Sequence, residues 1–137
     1  MGKKYLYLGV FLGGFCGGII RWGFEHIGNQ TVLPLFPLGT FFVNILGAFL
    51  IGIFLTQIWQ KSHWHQQLKS FLTTGLCGGM TTFSSFTYDT VLLLQQQQYQ
   101  QAMLFMILDV GLSICAAYFG IVVGSHFLKW RIARINK

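Results

Sequence analysis

Between Leu38 and Trp59 the chain runs without a single charged side chain. A helix of that length, rising about 1.5 Å per residue, crosses a hydrocarbon core of roughly 30 Å. Three more apolar stretches come close to the same purity. Tyr5 to Phe24 is interrupted only by Arg21, Ser70 to Leu94 only by Asp89, and Ala102 to Leu128 only by Asp109. The pattern predicts one all-α integral membrane domain over residues 1–137, with four transmembrane helices at about 5–24, 38–59, 70–94 and 102–128. Composition agrees, because 9% charged residues is far below the roughly 25% of a soluble domain. A soluble enzyme, a disordered chain and a secreted disulfide domain are thereby excluded. Cys16, Cys77 and Cys115 all lie within apolar runs, and an odd number without paired spacing gives no disulfide framework. Lys3 and Lys4 followed by an apolar run could open a signal peptide. No small-residue cleavage pattern precedes Arg21 and further spans follow, so an uncleaved first helix is expected.

Net charge is +6, yet with this hydrophobicity nucleic acid is not the expected partner; membrane lipid is. Four spans put both termini and the loop between spans two and three on one side. That side carries Lys3, Lys4, Lys61, Lys69, Lys129, Arg131, Arg134 and Lys137, while the opposite loops, 25–37 and 95–101, carry no Lys or Arg. Such asymmetry predicts cytoplasmic termini. Trp22, Trp59, Trp64 and Trp130 fall near span ends, where interfacial anchors belong. The glutamine-rich run 95–101 reads as a solvated turn.

Glycine recurs at helical spacing: Gly9, Gly13 and Gly17; Gly14 and Gly18; Gly120 and Gly124. In a membrane, small residues at that interval allow close helix contact without specifying any chemistry. The stretch 73–87, TTGLCGGMTTFSSFT, is mostly Gly, Ser and Thr. Gly78-Gly79 weakens the helix there, and Thr81-Thr82 does not repair it. A broken third helix is tolerated at membrane depth only where its freed backbone groups are buried or line a polar cavity, as at transporter ion sites. A tightly packed, unbroken small-residue helix is the alternative. Phe83 and Phe86 share a helix face beside Ser84, and phenyl edges carry partial positive charge that an anion can approach. Thr40 and Asn44 share a face of span two and could donate to an anion or bond another helix. Asp109 and Ser113 have the same spacing in span four.

These residues resemble the Fluc (CrcB) fluoride channels, and the similarity covers nearly the whole chain. Its specific parts are GGIIRW ending at Arg21-Trp22, GTFFVNILGAFLIG from Gly39 to Gly52, and GLCGGMTTFSSFTYD from Gly75 to Asp89. The resemblance implies a fluoride channel of the cell membrane, not an enzyme, that exports fluoride ion passively and lowers its toxicity. It implies an antiparallel, dual-topology dimer with two pores at the subunit interface. Asn44, Phe83 and Phe86 would line the fluoride pore, with Thr40, Ser84 and Ser113 as polar donors and Arg21 in the aqueous vestibule. A structural Na+, not transported, would be held by the backbone carbonyls of Gly78 and Thr81 from both subunits.

Two features depart from that pattern. A dual-topology chain should balance its Lys and Arg between the two sides, and this one does not. Asp109 stands where a neutral donor is expected, and a carboxylate on an anion path repels fluoride unless it is protonated or paired, for instance with Arg21. The partner is therefore a second copy in an antiparallel homodimer, or an oppositely oriented paralogue in a heterodimer. A small multidrug exporter is the rival four-helix class, but it requires a carboxylate inside span one, and Glu25 lies at that span's end. His63 and His65 would suit an intramembrane metalloenzyme only if they left their polar loop.

Overall fold

The computed structural model describes residues 2–31, 36–59 and 66–135, and their regular structure is helical throughout. Pro34, Lys61, His63, Trp64, His65 and Lys137 lie outside the described residues. The elements are α1 (Gly2–Thr31), α2 (Leu38–Trp59), α3 (Gln66–Ser70), a π-helical segment (Phe71–Cys77), α4 (Gly78–Met80), α5 (Phe83–Gln95) and α6 (Tyr99–Ile135). Three helices are long and apolar enough to cross a membrane, over Lys4–Gly28, Leu38–Thr56 and Tyr99–Phe127. On either side of Thr81-Thr82 the helical pieces are each shorter than the ~20 residues a span requires.

Glycine faces decide which helices meet. On α1, a Cβ at Gly9 would come within 3.0 Å of the Gln67 carbonyl, and one at Gly13 would press into the Phe71 carbonyl. One at Gly17 would press into the Leu76 carbonyl. The stripe Gly9-Gly13-Gly17 is thus the contact face of α1 against the helix containing the π-helical segment, backbone to backbone. Gly14 and Gly18 sit on a neighbouring face, where an added Cβ would meet nothing within 4 Å. The same device joins α2 to α6. A Cβ on Gly52 would strike the Ala117 carbonyl, and one on Gly120 the Phe49 carbonyl. In lipid no hydrophobic force pulls helices together, so dispersion across such close approaches has to supply the attraction.

The apolar side chains mostly point outward. Phe11, Phe15, Trp22, Tyr118 and Phe127 are largely exposed, as a surface facing apolar surroundings permits. The compact core is small: Leu93, Ala102 and Phe105, flanked by Phe36, Phe41 and Phe86. Phe36 meets Phe41 and Phe105 edge to face, with centroids 5.8 and 5.6 Å apart, the arrangement that ring quadrupoles favour. α5 and α6 are joined by a tight turn in which Gln97 adopts φ 60°. Gln98 N–H donates to Leu93 C=O at 2.9 Å and Gln97 N–H to Leu94 C=O at 3.0 Å, which forms a Schellman C-cap. Only the middle of the glutamine run makes this turn; Gln95 closes α5, and α6 begins at Tyr99.

Candidate functional site: a polar cavity beside extended backbone

Two residues interrupt the helical path. Thr81 (φ −77°, ψ 149°) and Thr82 (φ −149°, ψ 121°) are extended. Gly78 and Gly79, the pair whose flexibility the sequence singles out, remain helical, with Gly78 at φ −66°, ψ −34°. Close packing accounts for Gly79, since a Cβ there would lie 2.6 Å from the Gly14 carbonyl oxygen. The interruption falls instead at the β-branched pair, because Thr82 caps the next helix. Its Oγ1 accepts the Ser85 N–H at 3.0 Å, lies 3.0 Å from Ser84 Oγ and donates to Ser85 Oγ at 3.2 Å. This is the N-cap role for which a threonine hydroxyl is suited.

Extended backbone inside a helical bundle must find other partners, and Asn44 of α2 supplies them. Its Oδ1 accepts the Thr82 N–H at 2.8 Å, and its Nδ2 donates to the Thr82 C=O at 3.3 Å. The second Nδ2 hydrogen goes to Asp109 Oδ2 of α6 at 3.1 Å. The Asn44 amide is therefore fully engaged, as a clamp that ties the interruption to α2 and α6. A consequence falls on the preceding carbonyls. In a continuous helix the Thr82 N–H would bond the Gly78 carbonyl and the Ser85 N–H the Thr81 carbonyl. Both amides are directed elsewhere, so those two carbonyls lose their helical donors.

One turn earlier on α2, buried Thr40 donates from Oγ1 to Asp89 Oδ2 of α5 at 2.5 Å. Thr40 and Asn44 thus use a single face of α2 to hold carboxylates from two different helices.

Beside the interruption lies a cavity of about 390 Å³ whose walls include Asn44, Thr82, Phe83, Phe86, Asp109 and Ser113. Phe83 and Phe86 stand with ring centroids 5.6 Å apart and planes tilted by 32°. Phe86 also leans on Phe105 of the core at 5.4 Å. Phe83 is 79% exposed within the single chain, so the cavity opens along the surface of the subunit. Asp109 is 5% exposed, yet its Oδ1 has no hydrogen-bond partner among the described residues, and neither does the buried Ser113 Oγ. Arg21 does not neutralise Asp109: Oδ2 is held by Asn44 and Oδ1 is unpaired.

Of the residues named from the sequence, Asn44, Phe83, Phe86 and Ser113 share this cavity. Thr40 is turned to Asp89, Ser84 is exposed at the start of α5, and Arg21 is half-buried on α1 away from the cavity wall. The capping role of Thr82 and the pairing of Asp89 with Thr40 have no counterpart in the sequence reading. A threonine directly before the helical run that begins at Phe83 is the N-cap signal that could have indicated Thr82. The Thr40 partnership joins residues far apart in the chain and has no local signal. Chemically, a cavity lined by phenyl rings and hydroxyls suits a small anion that meets the rings at their edges, and the Asp109 carboxylate opposes one.

A family model described as CrcB-like protein, Camphor Resistance (CrcB), matches residues 8–121. The chain is 39% identical over 117 residues to the fluoride-specific ion channel FluC of Flavobacterium psychrophilum, covering 85% of this chain and 94% of that protein. It is 35% identical over 119 residues to that of Parabacteroides distasonis, covering 87% and 92%. To that of Ignicoccus hospitalis it is 38% identical over 120 residues, covering 88% and 95%.

Proposed function

This chain belongs to the CrcB family, and on that premise we propose that it is a fluoride-selective channel that lets fluoride leave the cytoplasm down its gradient. It is a multi-pass membrane protein, with helices long and apolar enough to cross the bilayer, and a channel rather than an enzyme. The observation that carries the reading in the molecule itself is the cavity where Phe83, Phe86 and Ser113 meet beside extended backbone. Fluoride is small and holds its water tightly, so a pore must replace that water with compact donors and still release the ion. Phenyl edges and a serine hydroxyl satisfy both demands, whereas a fixed cation would bind too firmly. Thr40 and Ser84 stand outside this cavity, Thr40 holding Asp89 and Ser84 exposed at the start of α5, and in this reading Arg21 draws anions toward the mouth. Asn44 acts as the clamp that shapes the pore, and Phe83 and Phe86 carry the anion contact.

The pieces on either side of Thr81-Thr82 together form one broken span, the third of four in chain order. A structural Na+ fits the Gly78 and Thr81 carbonyls, because both have lost their helical donors and unwound carbonyls are the usual Na+ ligands at membrane depth. When bound it supplies a fixed positive charge that holds two such backbones together, and it is not transported. The outward exposure of Phe83 supports pores completed by a second, antiparallel subunit. That subunit is a copy of this chain or a paralogue inserted the other way. The one-sided distribution of Lys and Arg favours a fixed orientation and hence the paralogue. Fluoride efflux from vesicles that hold only this protein, with chloride as the control, tests both layers. Selective fluoride efflux from this chain alone supports the channel and the homodimer. Efflux that appears only with an oppositely oriented partner supports the heterodimer, and its absence in every pairing sinks the channel reading.

A further inference from the structure

Asp109 is the buried group that a fluoride path cannot use as an anion. It is 5% exposed and lines the cavity with Phe83, Phe86 and Ser113. Its Oδ2 accepts from Asn44 Nδ2 at 3.1 Å, while Oδ1 and Ser113 Oγ are both buried without partners among the described residues. Unpaired buried polar atoms are costly and call for an explanation. Two of them stand on one wall, four residues apart on α6, where one hydrogen-bonding ligand could satisfy both.

Among the described residues no cation pairs with Asp109. α6 packs on α2 and α5. α2 contains no titratable side chain and presents Asn44. α5 contributes exposed Tyr88 and Asp89, a like charge that bears on Asp109. Glu25 of α1 in turn bears on Asp89, so the acid nearest in charge to Asp109 is itself beside another acid and adds negative charge instead of balancing it. One proton on Oδ1 inverts this. The carboxyl loses its charge, its orphan acceptor becomes an O–H donor, and it joins the Ser113 hydroxyl in facing the cavity.

We infer that Asp109 and Ser113 form a proton-dependent fluoride station: protonated at Oδ1, Asp109 donates with Ser113 to the anion, and ionised it closes this cavity to fluoride. The proton comes from the aqueous phase as fluoride binds and returns there when fluoride leaves, with Asn44 holding Oδ2 throughout. The inference rests on the channel reading above.

Two measurements at constant sodium test it. Efflux from vesicles is followed across a pH series, with leak from protein-free vesicles subtracted. Flux through the natural chain should rise as pH falls. Asp109→Asn keeps the shape and presents a permanent donor, so its flux should be flat with pH. Near neutrality it should exceed the natural chain's by at least about tenfold, a small share of what a like charge at contact costs an anion. In weakly buffered detergent solution, fluoride should draw a proton onto the natural protein and none onto Asp109→Asn, a readout that does not depend on conduction. Flat flux in both proteins, or equal proton uptake by both, would overturn the inference while leaving the channel intact. No fluoride-linked signal in either measurement, for this chain alone and with an oppositely oriented partner, would overturn the channel reading and this inference with it.

Discussion

At the scale of single residues, Asn44 has the largest structural role in the site. Its amide satisfies both backbone groups of Thr82 and one oxygen of Asp109. Truncating it strands buried groups, each at a cost of about 1–3 kcal/mol. Asn44→Ala should therefore destabilise the protein by roughly 2–4 kcal/mol, read as a lower midpoint in detergent unfolding. Thr82→Val removes the α5 cap and should cost about 1 kcal/mol, and Thr82→Ser should restore most of it. The sequence shows that Asn44 is too polar for its position and must have partners. It does not show that the partners are the backbone of a residue 38 positions away, because that pairing depends on how the helices assemble. Asp109 was legible as an anomaly from its identity alone. Its unpaired oxygen could be seen only once the neighbours were in place.

At the scale of elements, the glycine stripes divide into positions where a Cβ would clash and positions where it would meet open space. Spacing alone makes Gly13 and Gly14 look equivalent, since each heads a four-residue repeat, and only the direction of the face separates them. Gly13→Ala and Gly120→Ala each force a methyl group into a neighbouring carbonyl. Each should cost about 1–3 kcal/mol, as overpacking does. Gly18→Ala meets open space within the subunit and should hold or raise subunit stability by up to about 1 kcal/mol through helix propensity. Unfolding midpoints of the three variants side by side check the distinction. The turn between α5 and α6 gives a prediction of opposite sign. Gln97 holds a left-handed conformation, which costs a non-glycine residue about 1–2 kcal/mol. Gln97→Gly should therefore raise the midpoint. The low-complexity run suggested a turn but not its geometry, because identical residues cannot indicate which of them takes positive φ. The extended residues are Thr81 and Thr82, whereas the sequence points to Gly78 and Gly79. The glycine pair misdirected the location of the helix interruption because glycine serves close approach as readily as flexibility.

At the scale of the whole molecule, apolar length and charge placement carry the account. Uncharged runs mark the spans because a bilayer leaves backbone groups no option but to pair internally. The one-sided Lys and Arg predict a fixed orientation with cytoplasmic termini. A cysteine introduced at Gln97 should be labelled from the outside of intact cells and one at Lys4 only after lysis. Mixed labelling of both would show dual insertion and favour the homodimer. How subunits pair was not legible, since partner contacts depend on a second chain. The central claim is that fluoride passes where Phe83 and Phe86 line the cavity beside the Asn44 clamp. It is tested most directly by fluoride and chloride efflux from vesicles containing the conducting pairing of this protein, compared with Phe83→Ile and Asn44→Ala. The account predicts fluoride efflux with chloride retained. It also predicts a fall of about tenfold for Phe83→Ile, the size of one lost aromatic-edge contact, and a deeper loss for Asn44→Ala. Equal chloride efflux, or fluoride efflux unchanged in both variants, would contradict it.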